Sequence, residues 1–302
     1  MITTQNIEKI YNKLKDDNGG KNAEYIHELF IENPHLYAIS IFSLDGQVIN
    51  VGDSNHEFAI ESCSKVFTLA LALEKYGIRY LKNKIGDTES SEKFNSICAA
   101  DNKNYTINSF NNGGAMATVS LLYQPDNKKF INKIVTNMSD FADKKLYVNN
   151  KIYKSEILHA DRNLAIAYLL KSHDRFYGDV EMCLDVYTKQ CSTMVTSKDL
   201  ALMAATLANN GINPKSGKHL ISKKNVEYIL KHMTITGLYD ETQKWMETVG
   251  YPAKSGVSGL IMIVIPGVMG IGIASPPLNK YGNSVKGIKT ALKISELLKG
   301  KK

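Results

Sequence analysis

The sequence Phe58-Ala59-Ile60-Glu61-Ser62-Cys63-Ser64-Lys65 leads directly into the most apolar helix that the chain predicts. Apolar residues lie nearly all round the segment 62–76, which predicts a buried helix that ends near Gly77. The Ser-x-x-Lys spacing places Ser62 and Lys65 on one face of this helix. Because hydrocarbon surroundings disfavour an ammonium ion, Lys65 would be an amine able to accept the proton of a nucleophilic Ser62. The alternative is a serine that caps the helix and a lysine that extends to solvent.

Two further motifs bear on this interpretation. A second Ser-x-x-Lys, at residues 90–93, lies in a polar run and predicts a solvated loop or cap. Lys254-Ser255-Gly256 precedes a long apolar strand, and this motif accompanies Ser-x-x-Lys in serine β-lactamases and penicillin-binding proteins. The Ser-Asp-Asn motif of those enzymes is absent, since Ser139-Asp140 is followed by Phe141. The sequence therefore has two of the three motifs of that fold.

Strand patterns lie at both ends of the chain and helical patterns lie between them. Residues 36–42 and 47–51 flank Asp45-Gly46, a hairpin turn signal, and two buried strands follow Ala253 with Pro266-Gly267 between them. Helices are predicted at 115–123, 162–170, 179–190, 197–208 and 284–298, the fourth with Thr196 and Asp199 as its capping box. This order predicts an α/β unit with an inserted helical subdomain.

Composition excludes several classes of protein. The 302 residues are 43% hydrophobic, which is typical of a folded chain. The net charge of +7 comes from scattered lysines, and the chain has only three arginines, which argues against a protein that reads nucleic-acid sequence. The uncharged run 255–278 contains Pro266-Gly267 and several glycines, which favours strands over a membrane span. Four cysteines without metal-ligand spacing and an N-terminus without an apolar signal segment predict a cytoplasmic protein without a metal site.

Eight segments together resemble one known family. They lie at residues 23–26, 58–65, 94–95, 112–115, 162–163, 237–240, 252–257 and 282–287. In this order they are similar to the motifs of the serine-dependent glutaminases, in their stand-alone bacterial form. The resemblance extends from about Tyr25 to the last predicted helix, which is nearly the whole chain.

The resemblance implies a β-lactamase-like fold, with an antiparallel sheet flanked by helices and an inserted helical subdomain. It implies one catalytic domain over residues 1–302, with an α/β lobe from about 1–60 and 240–302 and a helical lobe from about 61–239. The implied reaction is hydrolysis of L-glutamine to L-glutamate and ammonia through a glutamyl-serine ester, without a cofactor or metal. A homodimer or homotetramer is expected from the resemblance alone.

The resemblance also implies residue roles. Ser62 would be the nucleophile, Lys65 its base and Tyr239 the group that passes a proton to departing ammonia, while the backbone N–H groups of Ser62 and Val257 would form the oxyanion hole. The substrate contacts would be Ser62, Tyr239 and Val257 together with Tyr25, Asn112, Glu156, Asn163 and Tyr187. A zwitterion needs an anion for its ammonium, which Glu156 supplies, and neutral donors for its carboxylate. Glu156 and Asn163 are seven residues apart, hence on one face if that segment is helical.

Several positions depart from the family. Glu61 replaces the usual Gln, Cys63 replaces an aliphatic residue, the loop 108–113 lacks a proline and has Gly for Ala, and Leu260 stands in place of a Gly. A carboxylate beside Ser62 could raise the pKa of Lys65 and weaken it as a base. Two alternatives stay open: another Ser-x-x-Lys serine amidase or β-lactam-type hydrolase, and a catalytically weak sensor that binds an amino acid.

Overall fold

The computed structural model describes residues 2–89, 96–101 and 106–300, without the side chains of residues 99 and 100. The second Ser-x-x-Lys motif at residues 90–93 and the pair Phe94-Asn95 lie outside the described residues.

The described residues form helices and strands in the following chain order. The helices are α1 Thr4–Leu14, α2 His27–Phe30, α3 Ser64–Tyr76, α4 Ile78–Lys84, α5 Ile97–Ala100, α6 Asn112–Leu121, α7 Asn127–Ala142, α8 Asn150–Ile157, α9 Asp161–Ser172, α10 Val180–Cys191, α11 Ser197–Ala208, α12 Lys223–Thr236, α13 Thr242–Thr248 and α14 Val285–Leu298. The strands are β1 Ala38–Ser43, β2 Val48–Gly52, β3 Glu57–Ala59, β4 Met194–Thr196, β5 Ala253–Ser255, β6 Leu260–Ile265 and β7 Met269–Ala274. Two 3₁₀ turns, Glu61–Cys63 and Tyr239–Glu241, complete the elements.

Five strands form one antiparallel sheet in the order β2-β1-β7-β6-β5. The register places Ile41, Ile271 and Ile263 side by side across its centre. The two predicted turns are present, with Gly46 at φ 94° and Gly267 at φ 72°, a conformation that glycine adopts without steric cost. The expected antiparallel sheet flanked by helices is thus confirmed. Strands β3 and β4 form a separate antiparallel pair.

Helices cover both faces of the sheet, which explains why β6 and β7 are apolar throughout. Terminal helices α1 and α14 share one buried cluster with the sheet. Helix α11 packs against β7, β1 and β6 although it comes from the middle of the chain. A β-carbon added at Gly270 would lie 2.1 Å from Ala205 N, and one at Gly272 would lie 2.2 Å from Ser197 O, so glycine is what lets α11 lie this close. None of the described helices combines the length and the apolar composition needed to cross a membrane.

Helix α3 is the centre of the helical layer. It contacts α6, α7 and α12, and Phe67 and Leu69 are completely buried in the largest apolar cluster. It ends at Gly77, at φ 78°, as the sequence predicts. Its first turn differs from the prediction, because Ser62 lies in the 3₁₀ turn that precedes the α-helix.

Candidate active site

Ser62 lies where three segments of the chain meet. The 3₁₀ turn that holds it connects β3 to α3 and contacts β5. A β-carbon added at Gly256 would lie 3.0 Å from Ile60 O and 3.6 Å from Ser62 N, so the chain after β5 passes directly beside the amide of Ser62. The Ser-x-x-Lys and Lys-Ser-Gly motifs, 189 or more residues apart in sequence, are therefore adjacent in space. Val257, which is buried, comes directly after Gly256 and so lies near the same turn.

Lys65 is a buried base whose amine has defined partners. Its side chain is 2% exposed, and its Nζ donates to Asn112 Oδ1 at 2.7 Å and to Phe110 O at 3.1 Å. Burial lowers the pKa of Lys65 to about 8, although negative charge on Cys191, Glu61 and other neighbours opposes this shift. An appreciable fraction of Lys65 is therefore neutral near pH 7.

Tyr239 lies within hydrogen-bond distance of Ser62. Burial raises the pKa of Tyr239, while a hydrogen bond with the Ser62 side chain opposes that rise, so the phenol remains a neutral donor. The backbone of Tyr239 is at φ 51° and that of Glu61 is at φ 49°. A left-handed conformation costs a residue with a β-carbon of the order of 1–2 kcal/mol, and such residues concentrate at functional sites.

Lys254 is a second buried lysine at this site. It is fully buried, and its Nζ donates to Ser255 O at 2.8 Å. The same Nζ lies 4.5 Å from the centre of the Tyr239 ring. The backbone carbonyl of Lys254 accepts a hydrogen bond from Cys63 Sγ at 3.2 Å. Burial, followed by the positive charge of Lys65, lowers the pKa of Lys254 to about 7. In the sequence Lys254 belongs to the Lys-Ser-Gly motif, and no role of its own was predicted for it.

Three polar side chains from different helices meet beside Lys65. Asn112 Nδ2 donates to Asn163 Oδ1 at 3.1 Å, and Tyr187 OH donates to Asn112 Oδ1 at 3.4 Å. Since Asn112 Oδ1 also accepts from Lys65, these groups of α6, α9 and α10 form one hydrogen-bonded network with the lysine. Asn108 organises the preceding loop, which has no proline, by accepting from the backbone amides of Phe110 and Asn111.

The prediction for Glu156 and Asn163 needs a correction. Glu156 lies near the end of α8, and Asn163 lies in the first turn of α9. The chain leaves helical conformation between them, so their seven-residue spacing does not place them on one helix face. Their contribution to one site comes from the packing of two helices.

The acidic end of the site contains two carboxylates. Burial raises the pKa of Glu156 to about 8, and Glu156 Oε2 accepts a long hydrogen bond of 3.4 Å from Ser192 Oγ. Glu61 is 3% exposed, and burial followed by the charge of Glu156 raises its pKa. The departure from the family at position 61 thus points inward. Tyr25 lies at the rim, with over half of its side chain exposed, and burial of its hydroxyl end together with the nearby Glu61 raises its pKa.

The structure thus brings the predicted side chains of Ser62, Lys65 and Tyr239 together with those of Tyr25, Asn112, Glu156, Asn163 and Tyr187. The sequence analysis missed Cys191 and Ser192, which lie beside Glu156. A signal for Cys191 existed, because it is four residues after Tyr187 and so lies on the same face of α10.

The fold and this arrangement define a class. An antiparallel sheet covered by helices, with a Ser-x-x-Lys turn beside a Lys-Ser-Gly strand, is a β-lactamase-like fold. The family model described as Glutaminase matches residues 20–301. A glutaminase of Mycobacterium ulcerans is 42% identical over 98% of this chain and 94% of its own length, and one of Colwellia psychrerythraea is 42% identical over 97% and 94%. The chain belongs to the glutaminase family and is therefore an amidohydrolase.

Solved structures agree with this assignment. The probable glutaminase ybaS has a TM-score of 0.95 at 39% identity, covering 98% of this chain and 96% of that one. A Bacillus glutaminase has a TM-score of 0.89 at 28% identity and covers 98% of both chains. Membership of this family favours glutaminase activity over the alternative of a β-lactam-type hydrolase.

Proposed function

We propose that this chain hydrolyses L-glutamine to L-glutamate and ammonia through a glutamyl ester of Ser62. Family membership supports the reaction. The observation that carries the mechanism is Lys65, a buried lysine with its pKa lowered to about 8, three residues after a serine that is hydrogen-bonded to Tyr239. A base and an acid are thus available to one nucleophile.

The reaction proceeds in two halves. Ser62 Oγ attacks the amide carbon of glutamine, and Lys65 accepts the hydroxyl proton. The backbone N–H groups of Ser62 and Val257 stabilise the oxyanion that forms. Tyr239 passes a proton to the nitrogen that leaves as ammonia. Water then attacks the ester with the same groups acting in reverse, which releases glutamate and restores Ser62.

Substrate binding uses the two ends of the polar network. The α-ammonium of glutamine lies against Glu156, and its α-carboxylate accepts from Asn112, Asn163 and Tyr187. Tyr25, at the exposed rim, contacts the bound amino acid. Burial raises the pKa of Glu156 to about 8, so its ionised form depends on a cationic partner, and a substrate without an α-ammonium forgoes this ion pair and leaves the buried carboxyl group unsatisfied.

Three further expectations belong to this proposal. The chain acts in the cytoplasm, as a homodimer or homotetramer. It forms one catalytic domain over residues 1–302, with an α/β lobe from about 1–60 and 240–302 and a helical lobe from about 61–239. Helix α11 belongs to the range 61–239 and packs on the sheet, so it would link the two lobes.

The decisive experiment measures ammonia release from glutamine by the wild type and by Ser62→Ala. We expect the substitution to lower kcat by about a thousandfold or more with circular dichroism unchanged. A diazoketone analogue of glutamine should add mass to the peptide that contains Ser62. Equal labelling in Ser62→Ala would refute the assignment of the nucleophile. Glutamine binding by the wild type without ammonia release would favour the sensor alternative.

A further inference from the structure

Three potential metal ligands converge at the acidic end of the site. One carboxylate oxygen of Glu61, one of Glu156 and the thiol of Cys191 all lie within 4.8 Å of one another. They come from the first 3₁₀ turn, from α8 and from α10, so no spacing in the sequence announces them. For this reason the cysteine and histidine spacings predicted no metal site.

The polar atoms at this place are poorly satisfied. Glu61 Oε1 is buried and has no hydrogen-bond partner among the residues that the structure describes. The bond that Glu156 accepts from Ser192 is long at 3.4 Å. A buried acceptor without a partner is costly, and the two adjacent buried carboxyl groups ionise together only at a cost that a bound cation would offset. The cluster is therefore arranged to receive a cation.

Lys65 does not fill this place. Its charge lowers the pKa of both Glu61 and Glu156, but its Nζ is held by Asn112 and Phe110. The donor set then selects the cation. A thiolate with two carboxylates suits Zn²⁺, Co²⁺ or Cd²⁺, whereas Mg²⁺ and Ca²⁺ prefer oxygen ligands alone.

We propose that Glu61, Glu156 and Cys191 form an inhibitory site for one thiophilic divalent cation, with Zn²⁺ as its natural ligand. This inference rests on the proposed function in one respect. Since Glu156 is also the partner of the α-ammonium of glutamine, the metal and the substrate exclude each other. Zn²⁺ should thus act as a competitive inhibitor that leaves the fold unchanged.

The test uses Co²⁺ as a spectroscopic probe on the full chain, freed of metal by a chelator and kept reduced. We expect one equivalent to bind with the near-ultraviolet absorption of a cobalt–thiolate bond. Excess Zn²⁺ or L-glutamate should abolish this absorption. Cys191→Ser should lose the band, and the near-isosteric Glu61→Gln should bind Co²⁺ about tenfold or more weakly.

Two cysteine variants are matched controls. Cys183→Ser changes another buried thiol of α10, and Cys98→Ser removes an exposed thiol. Both should retain the band. Its persistence in Cys191→Ser, an unchanged affinity in Glu61→Gln, or no Co²⁺ binding by the folded wild type would overturn the proposal.

Activity separates this inference from the proposed function. Co²⁺ binding that depends on Cys191, in a chain that releases no ammonia from glutamine, would refute the function and leave the metal site in place. Rapid glutamine hydrolysis that Zn²⁺ inhibits without competition, or does not inhibit, would refute the site and leave the function.

Discussion

The proton affinity of Lys65 is set by groups from several segments of the chain. Besides burial, which dominates, the neighbours are Glu61, Cys63, Glu156, Cys191 and Lys254. The carboxylates and thiols raise the pKa of Lys65, and the positive charge of Lys254 opposes its protonation. The Ser-x-x-Lys motif fixes where the lysine is, while these tertiary neighbours fix the pH at which it acts.

This arrangement predicts the pH dependence of the enzyme. Only the neutral amine of Lys65 accepts a proton, so kcat/KM should rise with pH through a limb near 8. Glu61→Gln removes a negative charge that raises the pKa of Lys65, and the limb should move to lower pH by up to about one unit. Rates are measured from pH 6 to 10 with a chelator present. Superimposable profiles of the two proteins would show that Glu61 has no electrostatic effect on the base.

Glu156 predicts which amides are poor substrates. N-acetylglutamine has no α-ammonium, so it leaves the buried Glu156 without its partner, and kcat/KM should fall at least a hundredfold. Asparagine is one methylene shorter and holds its amide away from Ser62, so it should also react poorly. Rates of ammonia release for the three amides measure this selectivity. Comparable kcat/KM values for glutamine and N-acetylglutamine would contradict the assigned role of Glu156.

At the scale of one element, α6 begins with two glycines whose surroundings differ. A β-carbon at Gly113 would be 3.5 Å or more from its neighbours, an ordinary contact, whereas one at Gly114 would lie 1.9 Å from Asn108 O. Gly113→Ala should therefore raise the free energy of unfolding by about 0.5–1 kcal/mol, since alanine favours the helix. Gly114→Ala should lower it by more than that amount. Urea denaturation compares the two, and equal effects would contradict the packing described for this loop.

At the scale of the whole molecule, the fold was predictable where its signals are local. The apolar strands, the turn at Gly267 and the buried helix α3 follow from short stretches of sequence. Helices α1, α7 and α12 were among those not predicted, although each contains buried apolar residues at helical spacing, namely Ile7 and Ile10, Ile134 and Met138, and Val226 and Ile229. These signals were available in the sequence and were missed.

The site was predictable for a different reason and to a different extent. The roles of Ser62 and Lys65 followed from the local Ser-x-x-Lys pattern, whereas the other residues came from the order of the family's motifs, because no local pattern assigns their roles. The inward orientation of Glu61 depends on a left-handed backbone and on the contact of its 3₁₀ turn with α10, against which α8 also packs. Cys191 and Lys254 acquire their surroundings in the same way, from segments far away in sequence. Burial and charge at this site are thus properties of the assembled fold.

Lys254 predicts a pH-dependent cost to the stability of the whole molecule. Its pKa is lowered to about 7 in the folded state, whereas an exposed lysine titrates near 10.5. Between these values the unfolded chain binds one more proton, so stability rises with pH by up to about 1.4 kcal/mol per unit.

Lys254→Met removes this contribution. Relative to the wild type, the variant should gain most stability at pH 7, and the difference should shrink towards pH 9. Because the two lysines repel each other, the substitution also raises the pKa of Lys65 towards its unfolded value, which changes the difference in the same direction. Urea denaturation at pH 7, 8 and 9 measures the difference, with the surface variant Lys293→Met as control. A difference that stays constant with pH would mean that Lys254 is charged in the folded protein.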